Sequence, residues 1–106
     1  MTLELRFHPE ARAELLADVK WYDDREFGLG GRFGLAVRSA VDAAAQSPDS
    51  WALWPGWDRE PVVRSKGVGD FPYRVVYVVR NESLIVVAVA HTKRRPGYWR
   101  ERVPAA

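Results

Sequence analysis

At 106 residues with an apolar share of 47% and a charged share of 28%, the chain has the length and composition of one globular domain over residues 1–106, which excludes a second core and a disordered chain. With no cysteine and only two distant histidines, His8 and His91, neither a disulfide framework nor a metal site is expected, and no other cofactor is implied. The net charge of +2 excludes a strongly acidic or basic chain, no apolar run reaches the roughly 18 residues of a membrane span, and MTLELRFHP has no secretion-signal pattern, so a cytoplasmic protein without membrane association is expected.

Leu3, Leu5 and Phe7 alternate with Glu4 and Arg6, the period of a half-buried strand. At Pro9 the period changes. Proline suits the first helical turn, where its missing N–H is not needed, and Glu10 and Glu14 complement the positive end of the helix dipole. Ala11, Leu15, Val19 and Tyr22 then form one stripe up to the break at Gly28-Leu29-Gly30-Gly31. A phosphate-binding role for these glycines is disfavoured because no strand precedes them, so they are read as a helix junction. From about Gly31 the stripe of Phe33, Val37, Ala40, Val41 and Ala44 predicts a second helix, stopped at Ser47-Pro48.

Residues 51–61 (WALWPGWDREP) carry tryptophan at every third position, but Pro55 and Gly56 argue for a structured loop. Trp51, Trp54 and Trp57 are expected to pack that loop onto the core. VVRSK (62–66) is a short strand with Arg64 and Lys66 on one face. PYRVVYVVR (72–80) and LIVVAVAH (84–91) are β-branched and aromatic, and Asn81-Glu82 joins them as a tight hairpin. Alternation sets Tyr73, Val75, Tyr77 and Val79 against Arg74, Val76, Val78 and Arg80. The resulting order, β-α-α-β-β-β, is an α+β fold: two N-terminal helices packed on one face of a small, mostly antiparallel sheet, with the other face partly open.

The charge is uneven along the chain. Residues 1–60 hold 7 Lys/Arg against 11 Asp/Glu, a net of −4, whereas residues 61–106 hold 9 against 3, a net of +6. Clustered basic charge of this kind raises the local potential towards an anionic partner. Metal-free cleavage of RNA needs a base, an acid and cations around the phosphorane. Lys66, Arg74 and Arg94 or Arg95 supply cations, and His91 is a better intrinsic base than Tyr98. Each residue also has a quieter reading: Arg74 as the polar face of a strand, His91 as a structural hydrogen-bonder, and Lys93-Arg94-Arg95 as a solvated turn. Tyr98 and Trp99 beyond that turn add surfaces on which a target would stack.

FPYRVVY (71–77), AHTKRRPGYW (90–99), FHPEA (7–11), the glycine-marked helix junction and the Ser47-Pro48 stop together make residues 5–102 resemble the RelE/ParE superfamily of bacterial type II toxins. The resemblance implies a growth-inhibiting toxin that forms a hetero-oligomer with a cognate antitoxin. One branch of the superfamily cuts mRNA on the ribosome; another poisons DNA gyrase and is not an enzyme. In the RNA-cutting branch the resemblance implies an active set at Arg64 and Lys66, Arg74, Arg94 or Arg95, and Tyr98. The catalytic candidates are therefore Lys66, Arg74, His91, Arg94 and Tyr98, and the target-binding candidates Arg64, Arg80, Lys93, Arg95 and Trp99. Spacing does not separate the two mechanisms, and a non-enzymatic nucleic-acid or protein-binding module is the alternative to both.

Overall fold

The change of period after Phe7 marks the end of strand β1 (Glu4–Phe7) and the start of helix α1 (Pro9–Arg25). His8 caps α1, its Nδ1 accepting from the Glu10 N–H at 3.1 Å, and Pro9 occupies the first turn as expected. The computed structural model describes residues 3–105. Helix α2 (Leu29–Gln46) begins two residues before the expected Gly31. The reason is Gly28, whose φ of 85° turns the chain so that Leu29 is already helical. The Gly30 N–H donates to Asp23 Oδ1 at 2.8 Å, so a carboxylate of α1 caps α2. A Cβ at Gly30 would stand 2.3 Å from the Val19 carbonyl oxygen, which is how closely the helices meet.

Strands β2 (Ala52–Leu53), β3 (Arg64–Gly67), β4 (Tyr73–Arg80) and β5 (Ser83–His91) join β1 in a sheet of order β1-β5-β4-β3-β2. β1 runs parallel to β5 and every other neighbour is antiparallel. The hairpin at Asn81-Glu82 is as expected, with both residues left-handed (φ 50° and 64°), the geometry of a two-residue turn matched to strand twist. One expected loop residue pair, Ala52–Leu53, is instead the short edge strand β2.

Tyr73, Val75 and Tyr77 face the helices and pack with Phe33, Val37, Val41, Leu84, Val86 and Val89. The opposite face is closed, not partly open. Val63, Val76, Val78, Val87, Ala88 and Ala90 form a second core there with Trp99 at its centre, and Trp54 and Trp57 pack against it. The tryptophan loop does pack onto the core, but on both sides: Trp51 joins the helix-side core, its Nε1 donating to Ala43 O at 3.1 Å. The β4–β5 register slips between Val76 and Tyr77, where Val76 faces Ala88 but Tyr77 faces Val86. The extra residue, Val87, is a bulge that places Val87 and Ala88 in the same core and interrupts the alternation along β5.

Candidate functional site

Tyr73 pairs with His91 and Arg74 with Ala90, so the start of β4 and the end of β5 share one end of the sheet. The turn after His91 returns the chain across this end, with the Arg94 N–H donating to His91 O at 3.0 Å, and delivers Tyr98 and Trp99 to it. A cavity of about 170 Å³ results. Its apolar lining comes from Trp54, Ala90, Pro96, Tyr98 and Trp99, and its polar lining from Arg74, His91, Arg94 and Arg95. Six sequence candidates, Arg74, His91, Arg94, Arg95, Tyr98 and Trp99, thus meet around one opening.

Each is held differently. Arg74 Nε donates to Ser65 Oγ at 2.8 Å and its Nη2 to Ser65 O at 3.2 Å, so a buried serine on β3 fixes the guanidinium. His91 Nδ1 accepts from the Lys93 N–H at 3.0 Å, and its ring stands edge-on to Tyr73 with centroids 4.9 Å apart. The Arg94 guanidinium lies 3.7 Å over the Tyr98 ring, while Arg95 is exposed. Lys93 is exposed on the same turn outside the cavity lining.

Arg64, Lys66 and Arg80 are elsewhere, and Trp99, though it lines the cavity, is buried. Arg64 pairs with Tyr77 and Lys66 with Val75, both of which face the helices, whereas Arg74 lies across from Gly67 and Ala90 towards the opposite face. Arg64 Nη1 donates to Trp51 O at 2.8 Å and Lys66 Nζ sits 4.7 Å from the Trp51 ring, so both cations are spent on the tryptophan loop across the sheet from Arg74. Arg80 is at the hairpin end of β4, six residues and roughly 20 Å of strand from Arg74. Trp99 is 1% exposed. Its ring lies 4.9 Å from Trp54 and 5.8 Å from Trp57, and it is a core residue with no face left for a target to stack on.

Glu14 is the residue that sequence reasoning missed. Its Oε2 accepts from the Tyr98 hydroxyl at 2.8 Å and from Arg102 Nη2 at 3.0 Å, and Arg94 Nη1 is 3.6 Å away. Burial, followed by this bond to Glu14 and its charge, holds the Tyr98 proton more tightly than in a free phenol, and the nearby arginines offset this only in part. Asp18, one turn further along α1, is shifted upward by burial despite its bond from Tyr73, with Glu14 adding to the shift and His91 opposing it. Among the described residues, no three histidine, aspartate or glutamate side chains converge as metal ligands would.

Three hydroxyls carry a pH dependence. Burial pushes Tyr77, which donates to Pro48 O at 2.7 Å, up to about 12, and raises Tyr73 and Tyr98 as well. Because the folded values exceed the ordinary value near 10, the fold favours the protonated phenols. Their contribution is complete below pH about 10 and is lost as the pH rises through the folded values. The melting temperature is therefore expected to fall above pH about 10, with the phenolate absorbance of three of the four tyrosines lagging behind that of free tyrosine. Full ionisation of Tyr73, Tyr77 and Tyr98 near pH 10 in a still-folded protein would show these hydroxyls to be solvated.

Residues 5–96 match the family model described as the ParE toxin of the type II toxin-antitoxin system parDE. No curated protein matches the chain. Among solved structures, the chain is similar to one from a chromosomal ParDE toxin-antitoxin system of P. aeruginosa. The TM-score is 0.69 at 16% identity, covering 85% of this chain and 96% of that one, a likeness of fold. No helix among the described residues is long and apolar enough to cross a membrane.

Proposed function

The chain belongs to the ParE toxin family of type II toxin-antitoxin systems, and on that premise we propose that it is a growth inhibitor, neutralised by a cognate antitoxin, that poisons DNA gyrase by binding it. The carrying observation is the state of Tyr98. Its hydroxyl donates to Glu14 and holds its proton tightly, the reverse of what a base for a 2′-OH needs. The cations of the nuclease reading are also divided, with Arg64 and Lys66 across the sheet from Arg74, so they do not surround one phosphorane. What the cavity end does offer is an apolar pocket with exposed guanidiniums at Arg94 and Arg95, suited to binding. The antitoxin is proposed to bring an acidic segment to the basic C-terminal part, where complementary charge would speed association.

One observation favours ribosome-dependent mRNA cleavage as a second reading: His91 and Arg74 line the same cavity, an imidazole beside a fixed cation. Two assays with the purified protein separate the readings. Inhibition of gyrase supercoiling with ribosome-bound mRNA left intact is the expected result, and in cells replication should stall with an SOS response before protein synthesis falls. Cleaved ribosomal mRNA with unimpaired supercoiling would overturn the gyrase reading and move the function to the His91–Arg74 pair.

A further inference from the structure

β1 ends opposite Val86, yet β5 runs on to His91, so among the described residues the last part of this edge has no neighbouring strand on that side. Buried backbone groups left without partners are costly, and two side chains take the strand's place. The Val89 N–H donates to Glu14 Oε1 at 3.1 Å, and the carbonyl of the bulged Val87 accepts from Arg102 Nη1 at 3.1 Å. Glu14 and Arg102 are then bonded to each other, and Glu14 also receives the Tyr98 hydroxyl. One carboxylate on α1 therefore ties together the sheet edge and both ends of the tail segment, Tyr98 and Arg102.

The pair is nearly dry, with side chains 13% and 15% exposed. Stability alone is a poor account of it, because a buried ion pair is often no better than apolar residues of the same volume, whereas it does impose one geometry. Depth of packing is already set by Trp99 in the second core. What the carboxylate adds is orientation. Tyr98 is fixed through its hydroxyl, and its ring lies beneath the guanidiniums of Arg94 and Arg102 at 3.7 and 5.2 Å. Glu14 also places a negative charge at the base of a basic surface, which an anionic or acidic partner would not favour unless positioning mattered more.

We infer that Glu14 is the positioning residue of the target-binding tail, its carboxylate standing in for a missing strand beside β5 and setting the orientation in which Arg94, Arg95 and Tyr98 meet the target. This rests on the proposed reading that the tail end engages gyrase.

The test uses the full chain with Glu14→Gln, Arg102→Gln and the double variant. The amide in Glu14→Gln keeps one acceptor, for the Val89 N–H, but puts an NH2 donor where Oε2 received Tyr98 and leaves the Arg102 charge unpaired. Backbone hydrogen exchange at Tyr98, Arg100, Arg102 and Val103 should then speed up roughly 10- to 100-fold, while amides in β4 and α2 keep their wild-type protection. Gyrase inhibition should weaken by about tenfold or more at a temperature where all variants are folded. The double variant restores a neutral pair and should regain part of both losses, a rescue that a purely structural role of Glu14 within α1 would not give. Should Glu14→Gln fail to fold, Arg102→Gln breaks the same pair from the tail side and carries the same expectations. Unchanged exchange at the tail amides would overturn the positioning role itself. Faster tail exchange with undiminished gyrase inhibition would overturn the link to the target and with it the reading of the tail as the binding surface.

Discussion

Trp99→Ala will destabilise the protein by about 3–5 kcal/mol, the loss expected for a large side chain removed from the middle of a packed core. The ring is 1% exposed and is the part of the tail that seals the second sheet face against Val76, Val78 and Val87. Urea unfolding followed by far-UV circular dichroism measures the loss as a lower midpoint with little change in slope. A change below about 1 kcal/mol would mean that Trp54 and Trp57 seal that face without Trp99. The same packing bears on how toxicity is dissected. Shortening the chain before Pro96 removes Trp99 and Arg102 together, so loss of growth arrest in such a truncation will report unfolding and not the removal of a contact surface. Point variants on the exposed side of the turn are the informative ones.

Among these, Arg95→Glu will leave the melting temperature nearly unchanged and, on the proposed gyrase reading, weaken inhibition by roughly 10- to 100-fold, mainly through slower association. Arg95 lines the cavity, is exposed, and has none of the anchors that hold Arg74 and Arg102. Reversing its charge therefore costs the fold little while changing the potential met by the partner. Raising the salt concentration should narrow the gap between wild type and variant, since screening acts on an exposed charge. Full inhibition by Arg95→Glu at low salt would take Arg95 out of the binding surface. Arg74→Ala is a less clean probe, because it also leaves the buried Ser65 hydroxyl without its donor.

The elements were legible in the sequence wherever the signal was local. Alternation in Leu3–Phe7 and Tyr73–Arg80, Pro9 at a helix start and Asn81-Glu82 at a hairpin each follow from neighbours a few residues apart, and each stands in the structure. The site was legible only in part because its geometry depends on pairings between distant segments. Arg64 and Lys66 do share a face, as their spacing demands, but which face is set by the register against Tyr77 and Val75, and that puts them across the sheet from Arg74. Trp99 follows a basic turn and reads as an exposed aromatic; its burial depends on a second core built from the alternate residues of β4 and the bulge at Val87. Glu14 reads as a dipole-complementing residue in an early helical turn. Its partners Val89, Tyr98 and Arg102 lie beyond the reach of any periodicity, and the one available hint was an acidic residue beside Leu15 on the helix stripe that packs on the sheet.

The parallel pairing of β1 with β5 has a consequence for when the molecule completes its fold. Glu4 is matched to Ser83, so the first strand has no partner until the last one has been made, and the second core waits longer still for Trp99. During synthesis the early helices can pair with each other and β2, β3 and β4 can pair in sequence, but β1 joins the sheet only when β5 arrives, with a long loop to close. A ribosome that stops before Ser83 releases a chain in which β1 has no partner and the second face is unsealed. The complete fold, and any activity that depends on it, is deferred to the finished polypeptide.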